Sequence, residues 1–132
     1  MNIFYYRDFN SGLCPVKEYL KKFIGKDKLL ADIDGKIRSI ARKGIVSPPL
    51  AKPLQNYSIS EIMKSFRDIE IRLLCAPVSN EFILFHAFDK PMHYENVKKI
   101  NRQIEKNYEK AEGYYNCFKN EKNNEKYKEE YK

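Results

Sequence analysis

Seven side chains of this sequence could do chemistry on a phosphate: Lys52, Lys64, Arg67, Arg72, Lys90, His93 and Tyr94. Lys52 stands in the stretch SPPLAKP (47–53). Lys64, Arg67 and Arg72 stand in or between two runs of strand character, and Lys90, His93 and Tyr94 follow an apolar run. A shallow sheet lined with Lys and Arg beside aromatic groups can hold an RNA backbone and stack a base. It can also cut RNA without a metal. The 2′-hydroxyl attacks the adjacent phosphorus, and fixed cations stabilise the charge that builds on the non-bridging oxygens. A His, Tyr or Lys moves the protons. Simpler roles stand beside these. Arg72 has Glu70 and Asp68 nearby as ion-pair partners, and Lys90 suits a cation approaching a helix. His86, inside FILFHAF (82–88), reads as a core histidine rather than a catalyst.

Other chemistries find no pattern. Three cysteines (Cys14, Cys75, Cys117) lack CxxC spacing, which argues against a disulfide scaffold and a Cys-built zinc site. The two histidines, His86 and His93, have no Cys or paired carboxylate arranged around them. Five scattered glycines make no phosphate-cradling loop. Neither a metal nor a cofactor is expected.

The elements that must position these residues follow from periodicity. Ile3–Tyr6 read as a strand with a turn at Asn10-Ser11-Gly12. Pro15 suits a first helical turn, and Val16, Tyr19, Leu20 and Phe23 line one face of a helix that stops at Gly25. Leu29, Leu30, Ile33, Ile37, Ile40 and Ala41 write a second helix, ended by Gly44, so the two form a helical hairpin. Three prolines make 47–53 a loop. Strands are expected near 59–66, over 69–76 and over 82–88, the last central because both its faces are apolar. The 69–76 run puts Ile69, Ile71, Leu73 and Cys75 on the face toward the hairpin. Arg72 then lies with Glu70, Leu74 and Ala76 on a face expected to be open, where its loss would barely change stability. Val97, Ile100, Ile104, Tyr108 and Ala111 mark a C-terminal helix. The expectation is an α+β domain: an antiparallel sheet with the N-terminal hairpin on one face, and residues 113–132 as a polar, frayed tail dispensable for folding.

The chain is 132 residues with a net charge of +7, and residues 36–72 hold 8 Lys/Arg against 3 acidic residues, +5 of that excess. Such a cluster suits a polyanion, or simply a solvated surface. No apolar run reaches membrane-spanning length and the N-terminus has no secretory pattern, so no membrane contact and a cytoplasmic location are expected.

Three segments then resemble a known family: PVKEYLKKF (15–23), ARKGIVSPPLAKPL (41–54) and SEIMKSFRDIEIRLLCAPVSNEFILFHAFDK (60–90). Their order and spacing, over roughly residues 3–110, are similar to the RelE/HigB-type toxins of bacterial type II toxin–antitoxin systems, the phage-associated HigB-like branch in particular. The resemblance implies a RelE-like fold over 1–112. It implies metal-independent cleavage of mRNA on the ribosome, with a small cognate antitoxin covering the basic surface. In that scheme Arg72, Lys90, His93 and Tyr94 are catalytic, with Arg72 on the transition-state phosphate. Lys52, Lys64 and Arg67 hold RNA. Met63 stands where the family has Arg, so Lys64 takes that role only if a bulge turns it inward. Asp89-Lys90-Pro91-Met92-His93-Tyr94 replaces the family's Lys-Lys-Thr-x-Lys-Thr-Pro segment, with Lys90 carried over. The alternative is a catalytically weak module of the same fold that binds an antitoxin or nucleic acid.

Overall fold

Short β-branched and aromatic runs form the sheet, and period-3.6 stripes form the helices that cover it. A computed structural model describes residues 1–44, 48–121 and 125–132. Ser47, which opens the proline-rich loop, and residues 122–124 of the expected tail lie outside the described residues. In chain order the elements are β1 (Asn2–Tyr6), α1 (Pro15–Leu20), α2 (Asp27–Lys43), β2 (Lys52–Pro53), β3 (Ser60–Phe66), β4 (Ile69–Val78), β5 (Glu81–Pro91), α3 (Val97–Asn120) and β6 (Lys128–Glu130). Gly44 caps α2 in the left-handed region, φ 72°, as the sequence predicts.

The six strands make one sheet in the order β2-β3-β4-β5-β1-β6, antiparallel except where β1 runs parallel to β5. The α+β class is as expected, and so is the place of β5. Phe82, Ile83, Leu84 and Phe85 have no exposed surface. Ser79 and Asn80, both at positive φ, close the β4–β5 hairpin with a two-residue turn. β2 puts Pro53 in an edge strand, where its missing N–H costs no ladder bond.

Two expectations are corrected. The second sheet face is not open. Val16, Ile33, Ile37 and Ile40 of the hairpin pack on Ile71, Leu73 and Cys75. On the opposite side, Ala111 and Phe118 of α3 cover Leu74, Ala76, Ile83 and Phe85, so the domain has three layers. The bulge between Leu74 and Cys75 leaves Phe85 without a cross-strand partner, and Phe85 and the adjacent His86 both reach α3.

Nor is the C-terminal segment frayed over its described residues. α3 continues to Asn120, and β6 adds an antiparallel strand to β1 with Tyr5↔Glu129 and Tyr6↔Lys128 in register. Phe118 and Tyr127 are buried, and Tyr6 stacks on Tyr114 at 4.8 Å. The Tyr131 hydroxyl donates to Asp34 of α2 at 2.5 Å. This segment has no aliphatic side chain, and aromatic rings supply the burial instead.

Candidate functional site

Strand register decides which of the seven candidates can meet. Arg72 faces α3 rather than solvent, with its side chain 12% exposed. Its Nε donates to Glu70 Oε1 at 2.9 Å, and its Nη1 donates to the Tyr108 hydroxyl at 2.8 Å. Tyr108 donates in turn to Glu61 Oε2 at 2.7 Å, which lies 3.6 Å from Arg72 Nη1. Glu61 is buried. Burial disfavours the charged guanidinium, but Glu61 and Glu70 outweigh it and hold Arg72 protonated. Burial, then the bond to Glu61, raises the Tyr108 hydroxyl pKa. The guanidinium is thus engaged by Glu70 through Nε and by the Tyr108 hydroxyl through Nη1, with Glu61 beside it, and is held under α3 rather than presented to a phosphate. The open, phosphate-facing Arg72 of the sequence reading is therefore corrected. The partner it named, Glu70, is present; Glu61 and Tyr108 were not foreseen. Tyr108 had been legible only as one more residue of an apolar helical stripe.

Lys64 is also displaced. β3 pairs with β4 without a register shift, so no bulge turns Lys64 toward Arg72. It points to the hairpin face, where its Nζ lies 3.2 Å from Asp32. Lys52 is exposed on β2, three strands from β5.

The remaining four candidates gather at one end of the sheet. Arg67 occupies the β3–β4 turn at φ 54°, with its guanidinium 4.9 Å from the Phe66 ring centroid. Lys90, the penultimate residue of β5, lies opposite Glu70, and Pro91 pairs with Ile69. The Met92 N–H donates to the Asp68 carbonyl at 2.9 Å, which ties the loop carrying His93 and Tyr94 to the Arg67 turn. Lys90 lines a cleft of about 190 Å³ with Phe88, Ile100, Ile104 and Asn107. His93 and Tyr94 are exposed beside Met92 and Glu95. Among the described residues, neither Arg67 nor Lys90 has a carboxylate within ion-pair distance. Lys90 lies on the α3 face and Arg67 on the hairpin face of this sheet end, with His93 and Tyr94 on the loop that follows β5. Each cation can meet a phosphate, and an imidazole and a phenol can move a proton and stack a base.

His86 is half-buried between β5 and α3, short of the satisfied core position its sequence context predicts. Its Nε2 lies 2.7 Å from Asn107 Oδ1, and Asn107 Nδ2 donates to the Gln103 carbonyl, so the amide oxygen faces the ring and Nε2–H is the donor. Nδ1 is buried with no partner among the described residues. Burial, more than the repulsion of Lys110, lowers the His86 pKa against the opposing pull of the Asn107 bond. As pH falls below about 6.5, the unfolded chain protonates this histidine before the folded one does. Its stability contribution is whole above that pH and is lost toward the depressed folded pKa. Urea midpoints at pH 7.5 and pH 5 should therefore fall further apart in the wild type than in His86→Gln. Equal pH dependence would show that His86 titrates normally.

Cys75 and Cys14 are buried, and burial raises the pKa of both thiols. No cluster of three or more His, Cys, Asp or Glu among the described residues could hold a metal ion. No helix among them is long and apolar enough to cross a membrane. No family model, curated protein or solved structure matches the chain significantly.

Proposed function

We propose that this chain is a RelE/HigB-like toxin of a type II toxin–antitoxin system, a metal-independent endoribonuclease that cuts mRNA on the ribosome in the cytoplasm. The observation that carries this reading is the gathering of Lys90, His93, Tyr94 and Arg67 at one end of the sheet. The order of strand, helical hairpin, three-strand meander and helix supports it, together with the resemblance of the three segments. In this scheme the 2′-hydroxyl attacks the adjacent phosphorus as the bond to the 5′-oxygen breaks, leaving a 2′,3′-cyclic phosphate and a 5′-hydroxyl. Lys90 faces the non-bridging oxygens, His93 moves the proton, and Tyr94 stacks a base. A cognate antitoxin protein neutralises the toxin by covering the same basic end. Arg72 holds the strands and α3 in place instead of touching RNA.

The engagement of Arg72 by Glu70 and Tyr108 and the pairing of Lys64 with Asp32 favour a second reading, a module of the same fold that binds antitoxin or nucleic acid without cutting. Induced expression in a bacterium separates the two. The toxin reading expects growth arrest with fragmented mRNA. Lys90→Ala should lower cleavage by on the order of 10²-fold, as for one lost transition-state donor, at a melting temperature close to wild type. Normal growth and intact mRNA under wild-type expression would select the binding module.

A further inference from the structure

Around the corner from Lys90, on the hairpin side, a second cleft of about 370 Å³ opens between the end of α1 and the β3–β4 turn. Its wall carries Phe23 and Phe66, edge to face at 5.8 Å, and Ile69. Three cations surround it. Lys22 Nζ lies 4.3 Å from the Tyr19 ring centroid and 5.2 Å from that of Phe23, and is held there by Asp89 at 2.6 Å. The Tyr19 hydroxyl donates to the other Asp89 oxygen, so Lys22 and Tyr19 satisfy that carboxylate from within the protein. Lys26 and Arg67 have no carboxylate within ion-pair distance among the described residues. Asp68 is the other acid on the rim.

We infer that this cleft binds one nucleotide of the single-stranded RNA, its base on the Arg67–Phe66 stack and its phosphate at Lys26. The inference rests on the RNA reading above but not on cleavage. An arginine laid on an aromatic ring offers its outer, planar face to the flat face of a base irrespective of sequence. Lys26, unpaired at the rim, matches the phosphate. An acidic peptide would use the cations and leave the wall unused. The β3–β4 turn supplies Arg67 to this cleft and is tied by the Asp68–Met92 bond to the loop of His93 and Tyr94. One strand can therefore run from the Lys90 end over the turn into the cleft.

The test is fluorescence anisotropy with a labelled hexauridylate and full-length protein, away from ribosomes. Arg67→Asn suits the turn, because asparagine tolerates the left-handed backbone found there. It should weaken binding about tenfold, the order of one stacked base. Lys26→Gln should reduce the slope of log affinity against log salt by about 0.7, one phosphate contact on a single strand. Lys119→Gln, an equal loss of charge far along α3, should change neither by a comparable amount. Unchanged melting temperatures for all three would show that folding is not the cause. Several results would overturn the inference: no binding by the wild type, an Arg67→Asn affinity equal to wild type, an equal effect from Lys119→Gln, or polyglutamate competing as well as the oligonucleotide. Binding lost in Arg67→Asn without any mRNA cleavage by the wild type would uphold the cleft and overturn the nuclease reading. Cleavage with binding unaffected by Arg67→Asn would do the reverse.

Discussion

Arg72→Ala is expected to destabilise the domain by about 3–5 kcal/mol, the cost of leaving a buried charge without its partner. Glu61 is only 4% exposed, and its hydrogen-bond donor is Tyr108, which Arg72 holds from the other side. Removing the guanidinium strands the Glu61 carboxylate under α3, with the long Arg stem gone from the packing as well. Arg72→Lys keeps a charge but loses the planar fork whose separate nitrogens reach Glu70 and Tyr108, so it should fall between alanine and wild type. The double variant Arg72→Met/Glu61→Gln removes both charges while keeping much of the volume. It should recover part of the loss, giving a coupling energy of at least about 1 kcal/mol in a double-mutant cycle by urea unfolding. Tyr108→Phe removes only the bridging hydroxyl and should cost about 1–3 kcal/mol. An Arg72→Ala protein of native stability that has lost RNA binding would mean that the fork turns outward in solution and meets phosphate after all.

Cutting the chain after residue 112 should abolish cooperative unfolding. The deleted part contains Phe118 and Tyr127, both buried, and the rings of Tyr114 and Tyr115 against Tyr6 and Phe85. It also contains β6, whose loss bares the outer edge of β1. Fully burying one large apolar side chain contributes about 1.5–3 kcal/mol, so several together rival the whole stability of a small domain. Phe118→Ala isolates one of them. With no exposed surface and contacts to Tyr6 and Phe85, it should cost about 3–5 kcal/mol. A truncated protein that melts at the wild-type temperature would show that this segment does not dock in solution.

These two expectations reverse the reading from sequence, and the reasons are physical. β5 and the helical hairpin were legible because continuous or regularly spaced aliphatic residues leave few alternatives. The third layer was not. Leu74 and Ala76 needed a cover, but Glu70 and Arg72, four and two positions before Leu74, made that face look wet. The apolar stripe of α3 was visible without anything to say which surface it meets. After Ala111 the signal passes from aliphatic to aromatic residues spaced among Lys, Glu and Asn, and composition alone resembles a solvated tail. The cations were legible as types. Their directions were not, because a strand side chain's face depends on register. An unbulged β3 sends Lys64 to the hairpin, and the same pairing sends Arg72 under α3.

The measurement that bears most directly on the proposed function is primer extension on a reporter mRNA in a reconstituted translation system, with purified wild type, Lys90→Ala and His93→Ala. The expected result is new 5′ ends within the translated frame for the wild type, without added divalent cation beyond what the ribosomes need. Both variants should yield far fewer ends at unchanged melting temperature. Full-length reporter in the presence of folded wild type, at protein equimolar to ribosomes, would contradict the endoribonuclease reading and leave a binding module.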